Sequence, residues 1–325
     1  MLLFISSYLG THPHSSAQHQ QAVPLPSGGS ANGGSGTIEL RTDARVWEVQ
    51  WPELTIVRLI GQGSYGSVYL AEWNQTQVAV KVLVGRDCIV NGQLELPDKV
   101  AHDLHAEAAV MSHMRHPNIV QFMGLVALPP ALITEYCSRG SLYDCLAAAR
   151  QHAEAATQLT WARRLGMAID AGTGLLYLQR RNIIHRDDFN LSKLLSGARP
   201  ESSHTTGGVM NPMWLAPEVM NADTPTAAGD VYSFGMVMYE LLTWRLPWSF
   251  SQLSPFKVIA TIRQGGRPEV PPREALPGPD TAGWTGLDDY VQLMQECWSQ
   301  RPDARPTFDE VVGRLRRLLD GAPRS

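Results

Sequence analysis

Three glycines in the run Gly61-Gln-Gly63-Ser-Tyr-Gly66, followed by Ser67 and Val68, stand between two short apolar stretches, Leu54 to Ile60 and Ser67 to Leu70. Their placement constrains the fold more than any other feature. The same glycine spacing at the start of a helix would belong to a parallel βαβ unit that grips a dinucleotide. Between two strands it marks the tip of an antiparallel hairpin that can lay backbone N–H groups over phosphates. A plain hairpin would account for only one or two of the glycines. A third run, Gln77 to Leu83, continues the meander and carries Lys81 eighteen residues after Gly63. An ammonium inside an apolar strand is costly to hold unless an anion meets it.

Beyond Pro97 the pattern changes period. Leu104, Ala108, Met111 and Met114 recur at three- and four-residue steps, which predicts a helix over 100–114 with Glu107 on it. The runs 119–123 and 131–136 read as two further strands. After them helices dominate: Ser141 and Asp144 form a capping box, Thr160 caps a helix running to about Gln179, and 230–244 is apolar nearly all round and so belongs inside a core. Residues 1–38 contain no Asp, Glu, Lys or Arg and read as a disordered, low-complexity leader. The expected organisation is α+β: a leader over 1–45, a small antiparallel-sheet lobe over 46–137 and a larger helical lobe over 138–325, consistent with 325 residues.

Composition removes several classes of function. With 27 Lys+Arg against 31 Asp+Glu the formal charge is −4, so nucleic acid is not expected as a partner. The four cysteines form no C-x-x-C pair, which reads as reduced thiols in a cytoplasmic protein rather than zinc ligands. No apolar run reaches the eighteen residues that membrane insertion needs.

In chain order, and together with three motifs of the C-terminal half, these features resemble the eukaryotic protein kinase family over roughly residues 50 to 320. His185-Arg-Asp187 is similar to the catalytic-loop H-R-D, Ala216-Pro-Glu218 to the A-P-E that closes the activation segment, and Arg305 to the arginine that pairs with that glutamate. The stretches 116–124, 230–235 and 297–308 are most similar to the tyrosine-kinase-like, Raf-like group that phosphorylates Ser and Thr. The resemblance implies a two-lobed fold that uses ATP and Mg²⁺ and acts on a protein substrate. It assigns Gly61, Gly63, Gly66, Val68 and Ala79 to the nucleotide site. Lys81 with Glu107 would hold the phosphates, Thr134 would be the gatekeeper, and Glu135 to Cys137 the hinge that holds adenine. Asp187 would orient the substrate hydroxyl and Asp188 would bind Mg²⁺.

The chain departs from the family at one place. The family reads H-R-D-L-x-x-x-N, then two short strands, then D-F-G, whereas here Asp187 is followed at once by Asp188-Phe-Asn190. Taken as a D-F-G variant, that tripeptide leaves on the order of 15–20 family positions between the two aspartates without a counterpart. They include the β7–β8 strand pair of the family, the asparagine that binds metal and the floor under adenine. Three outcomes stay open: an active Ser/Thr kinase, a catalytically silent scaffold of kinase fold, or the product of a skipped exon or faulty gene model.

Overall fold

A computed structural model describes residues 47–63, 66–83, 89–90, 93–94, 98–181, 183, 212–222, 226–251 and 253–323. The leader, His185 to Asn190 and the hydroxyl-bearing Ser202, Ser203, Thr205 and Thr206 lie outside the described residues. So does the stretch in which the family's β7–β8 pair would fall.

The N-terminal half is a meander. Strands β1 (Thr55–Gly63), β2 (Gly66–Trp73) and β3 (Thr76–Val82) are joined by β6 (Phe122–Val126) and β7 (Ala131–Glu135) in the order β1-β2-β3-β7-β6, every pair antiparallel. A two-residue hairpin, β4 (Ile89–Val90) with β5 (Gln93–Leu94), stands apart from this sheet. Alternation along β3 sorts its side chains by face. Val78, Val80 and Val82 are buried with Ala71, Ala131 and Ile133 on one side. On the other, Leu132 joins Leu104 and Ala108 of helix α1 (Asp98–Ser112) in a second cluster.

Strand β6 begins three residues later than the apolar run 119–123 implies. Residues 116–119 instead fold into a turn, closed by the Ile119 N–H donating to the His116 carbonyl at 3.0 Å. The turn rests on the helical half. The Arg115 N–H donates to the Tyr177 hydroxyl at 3.2 Å, the His116 and Tyr177 rings lie 4.9 Å apart, and Ile119 packs against Leu178. Burial lowers the His116 pKa, so the imidazole in this seam is favoured in its neutral form.

The remaining described chain is helical: α2 (Leu142–Gln151), α3 (Ala153–Gln158), α4 (Trp161–Arg180), α5 (Pro217–Ala222), α6 (Ala227–Thr243), α7 (Pro255–Arg263), α8 (Leu287–Cys297) and α9 (Phe308–Asp320). Ser141 and Asp144 form the expected capping box, and Thr160 caps α4. Helix α6 is the core of this lobe, with Phe234, Met238, Tyr239 and Leu242 buried against α4 and α8. It starts earlier than the apolar run because Thr226 caps it, accepting from the Gly229 N–H at 2.9 Å. Arg314 is half-buried in an ion pair with Glu296 on α8, whereas Arg316 and Arg317 are exposed. Among the described residues no helix is long and apolar enough to cross a membrane.

Candidate functional site

The hairpin that joins β1 to β2 keeps its pairing to the tip, in the register Gly61 with Val68, Gln62 with Ser67 and Gly63 with Gly66. Val68 in turn pairs with Lys81, and Lys81 with Leu132. Gly61, Val68, Lys81 and Leu132 therefore form one row across four strands, at roughly 4.8 Å per strand. Two residues along, Ala79 pairs with Thr134, a second row about 7 Å from the first. Both rows lie on the sheet face that α1 covers at one end. Ala79, Lys81 and Thr134 are half-buried, whereas Val78 and Val80 on the opposite face are wholly buried.

Helix α1 brings Glu107 to the same side of the sheet, one position before Ala108 and three after Leu104, both of which pack with Leu132. Because Leu132 is the register partner of Lys81, the helix that carries Glu107 is packed beside the Lys81 row. Glu107 is half-buried and has an interaction of its own.

At its far end β7 runs into the connection between the two halves. The Glu135 N–H donates to the Gln121 carbonyl at 3.0 Å, and the Glu135 carboxylate accepts from the Gln121 N–H at 2.8 Å. Side chain and backbone N–H of Glu135 are thus both occupied in fixing the strand end. The Thr134 hydroxyl donates a long bond, 3.4 Å, to the Glu135 carbonyl. The Cys137 carbonyl accepts from the Gly140 N–H at 3.2 Å, forming a turn that ends where Ser141 caps α2; Gly140 takes φ +74°, as a residue without Cβ readily can. Burial, and secondarily the Glu135 charge, push the Cys137 thiol up from its usual value, which favours its neutral form. Arg58 on β1 reaches across to the Tyr136 hydroxyl at 3.3 Å.

On the helical side, Glu218 follows Ala216 and Pro217 at the start of α5 and is gripped by Arg305 through two bonds of 2.6 and 2.8 Å. Arg305 has no exposed side-chain surface, also donates to the Ser299 and Ala228 carbonyls and lies over the Tyr232 ring. This is the pairing expected from sequence. A second anchor has no counterpart among the sequence motifs. Trp214 donates its indole N–H to Glu240 at 2.6 Å, while Ser233 donates to the Trp214 carbonyl at 2.8 Å. Burial pushes the Glu240 carboxyl up to about 7, against the lowering effect of the indole bond. Its sequence signal is that it is the one acid in the apolar run 231–244. Ile60 likewise escapes sequence reasoning. A register shift between Leu59 and Gly61 leaves it out of the ladder, half-buried directly before the first glycine.

These elements bring a glycine hairpin, a lysine one strand from Val68 and the end of β7 onto one sheet. Asp187 and Asp188 lie outside the described residues. Among the described residues no group of three or more His, Cys, Asp or Glu could hold a metal.

A family profile described as protein tyrosine and serine/threonine kinase matches residues 54–187 and 188–315. The two matched stretches meet at the Asp187–Asp188 bond, the place where the family's intervening positions have no counterpart. The serine/threonine-protein kinase CTR1 of Arabidopsis thaliana is 34% identical over 305 residues, covering 87% of this chain and 34% of the relative. The probable serine/threonine-protein kinase SIS8 of the same plant is 33% identical over 298 residues, 83% of this chain and 25% of the relative. The probable serine/threonine-protein kinase drkA of Dictyostelium discoideum is 34% identical over 278 residues, 79% and 38%. The chain thus spans between a quarter and two fifths of the length of these relatives.

Proposed function

The chain belongs to the protein tyrosine and serine/threonine kinase family, and on that premise we propose that it transfers the γ-phosphoryl group of ATP to a Ser or Thr hydroxyl of a protein, in the cytoplasm. The observation that supports this reading is the row Gly61, Val68, Lys81, in which the lysine is in register with the first glycine of the hairpin. Adenine would lie at the hinge, accepting from the Cys137 N–H and donating to the Glu135 carbonyl, with Thr134, Ala79, Val68 and Ile60 around it. Gly61, Gly63 and Gly66 would cover the phosphates. Lys81, oriented by Glu107, would neutralise charge on them.

Asp187 would accept the proton of the substrate hydroxyl as its oxygen bonds to the γ-phosphorus and the bond to the β,γ-bridging oxygen breaks. Asp188 supplies a carboxylate of the kind that, with phosphate oxygens, suits Mg²⁺, whose chemistry is to neutralise developing charge on the phosphates. The anchors at Glu218 and Trp214 would fix the end of the activation segment against α6 so that a substrate backbone can be positioned.

The competing reading is a scaffold without turnover, and it concerns Asp187 and Asp188, where the family match divides. Their Cα atoms, about 3.8 Å apart, leave little freedom for both carboxylates to reach family positions. Incubation of the full chain with Mg²⁺, γ-labelled ATP and pooled serine, threonine and tyrosine peptides tests the choice. Labelling of serine and threonine peptides that vanishes in Lys81→Met supports the kinase. No labelling by a folded chain overturns it in favour of the scaffold.

A further inference from the structure

Strand β1 is an edge of the five-stranded sheet and pairs with β2 alone. Its ladder is interrupted twice, between Ile56 and Arg58 and again between Leu59 and Gly61. Each interruption costs pairing locally. Val57 and Leu59 stay 55% and 46% exposed, so little packs on the strand between the two breaks. This lightly held stretch leads the chain into Gly61 and Gly63.

Arg58 lies between the breaks. It is in register with Leu70, Leu70 with Ala79 and Ala79 with Thr134, so it stands at the outer end of the row that closes on β7. Its guanidinium donates at 3.3 Å to the hydroxyl of Tyr136, the residue that follows β7 in the connection between the two halves. In the sheet order β1 and β7 are three strand spacings apart, about 14 Å. The bond therefore spans β2 and β3. Leu70, inside the spanned row, is only 5% exposed although it belongs to neither apolar cluster of the sheet. An arginine stem laid across the row supplies cover of that kind.

We propose that Arg58 and Tyr136 are positioning residues of the nucleotide site, a strap that fixes the glycine hairpin relative to the Ala79–Thr134 row. The inference rests on the reading of these rows as an ATP site. Neither side chain is assigned a contact with the reacting atoms; both act through the hairpin. Tying the interrupted edge strand to the connection sets the hairpin's backbone N–H groups in place before a ligand arrives, so less ordering is left for binding to do.

The test is a double-mutant cycle on the full chain with Arg58→Ala, Tyr136→Phe and the two combined, and with Arg58→Lys as the conservative variant that can still donate. In the nucleotide-free chain, hydrogen–deuterium exchange of the β1 and β2 amides should quicken about threefold to tenfold in either single variant. It should quicken no further in the combined variant, and return towards the parent rate in Arg58→Lys. Exchange in β3 and β7 and the melting temperature should stay unchanged, which a general loss of stability would not allow. The dissociation constant for a non-hydrolysable ATP analogue with Mg²⁺ should rise by a similar factor. Additive effects of the two substitutions, or β1 and β2 exchange at the parent rate in every variant, overturn the strap. Quickened exchange with unaltered nucleotide affinity overturns its role in the site. A folded parent that binds no analogue removes the ATP reading and the positioning role with it, whereas the exchange measurement, made without nucleotide, decides the strap by itself.

Discussion

Arg305 keeps a charge with no exposed side-chain surface because every direction around its guanidinium is answered: two bonds from Glu218, two backbone carbonyls and the face of Tyr232. Taking away one partner of such a pair leaves a buried charge uncompensated. Glu218→Ala is therefore expected to lower unfolding stability by about 3 kcal/mol in urea titrations, and a loss under about 0.5 kcal/mol would show that the pair contributes little. Glu240 makes a prediction of the opposite kind. Because burial raises its carboxyl from 4.5 to about 7, the folded protein holds a proton that the unfolded chain releases near 4.5. The stabilising effect of that proton is complete below about 4.5 and is lost as pH rises through 7. Between pH 4.5 and 8 the loss should reach about 3 kcal/mol. Glu240→Gln should flatten this part of the stability–pH curve, and parallel curves for the two proteins would contradict the assignment.

At the scale of elements, the signals legible in the sequence are local ones. Ser141 with Asp144 announces its helix because a cap needs only neighbours, and Thr307 with Glu310 forms a second such box at the start of α9. Replacing Ser141 or Thr307 by Ala should each cost about 1 kcal/mol of stability by chemical denaturation. The features that sequence reasoning misses depend on partners far along the chain. The cap at Thr226 is hidden because Ala-Ala-Gly lacks apolar periodicity, the Ile60 bulge arises from pairing with β2, and Trp214 with Glu240 joins residues 26 apart. Gly278 belongs to the same class. At φ +109° its missing Cβ would fall 1.6 Å from an Arg164 nitrogen, so Gly278→Ala should destabilise by about 2–4 kcal/mol through strain and displacement of that buried arginine. A midpoint within error of the parent would mean that the loop relaxes freely.

For the whole molecule, the sheet and the helical lobe meet along the seam of His116 and Ile119 against Tyr177 and Leu178 of α4 and at the Tyr136 to Gly140 connection. The two-lobed fold is readable because five ordered motifs share one architecture. The pairing of Lys81 with Glu107 is a family expectation, and Asp187 and Asp188 lie outside the described residues. Phosphoryl transfer presupposes that the cleft grips a triphosphate. Calorimetric titration of the full chain with a non-hydrolysable ATP analogue and Mg²⁺ tests that directly. Saturable one-to-one binding is expected, weakening about tenfold or more in Lys81→Met at an unchanged melting temperature. Equal affinity of the two proteins, or no heat of binding from a folded parent chain, would contradict it.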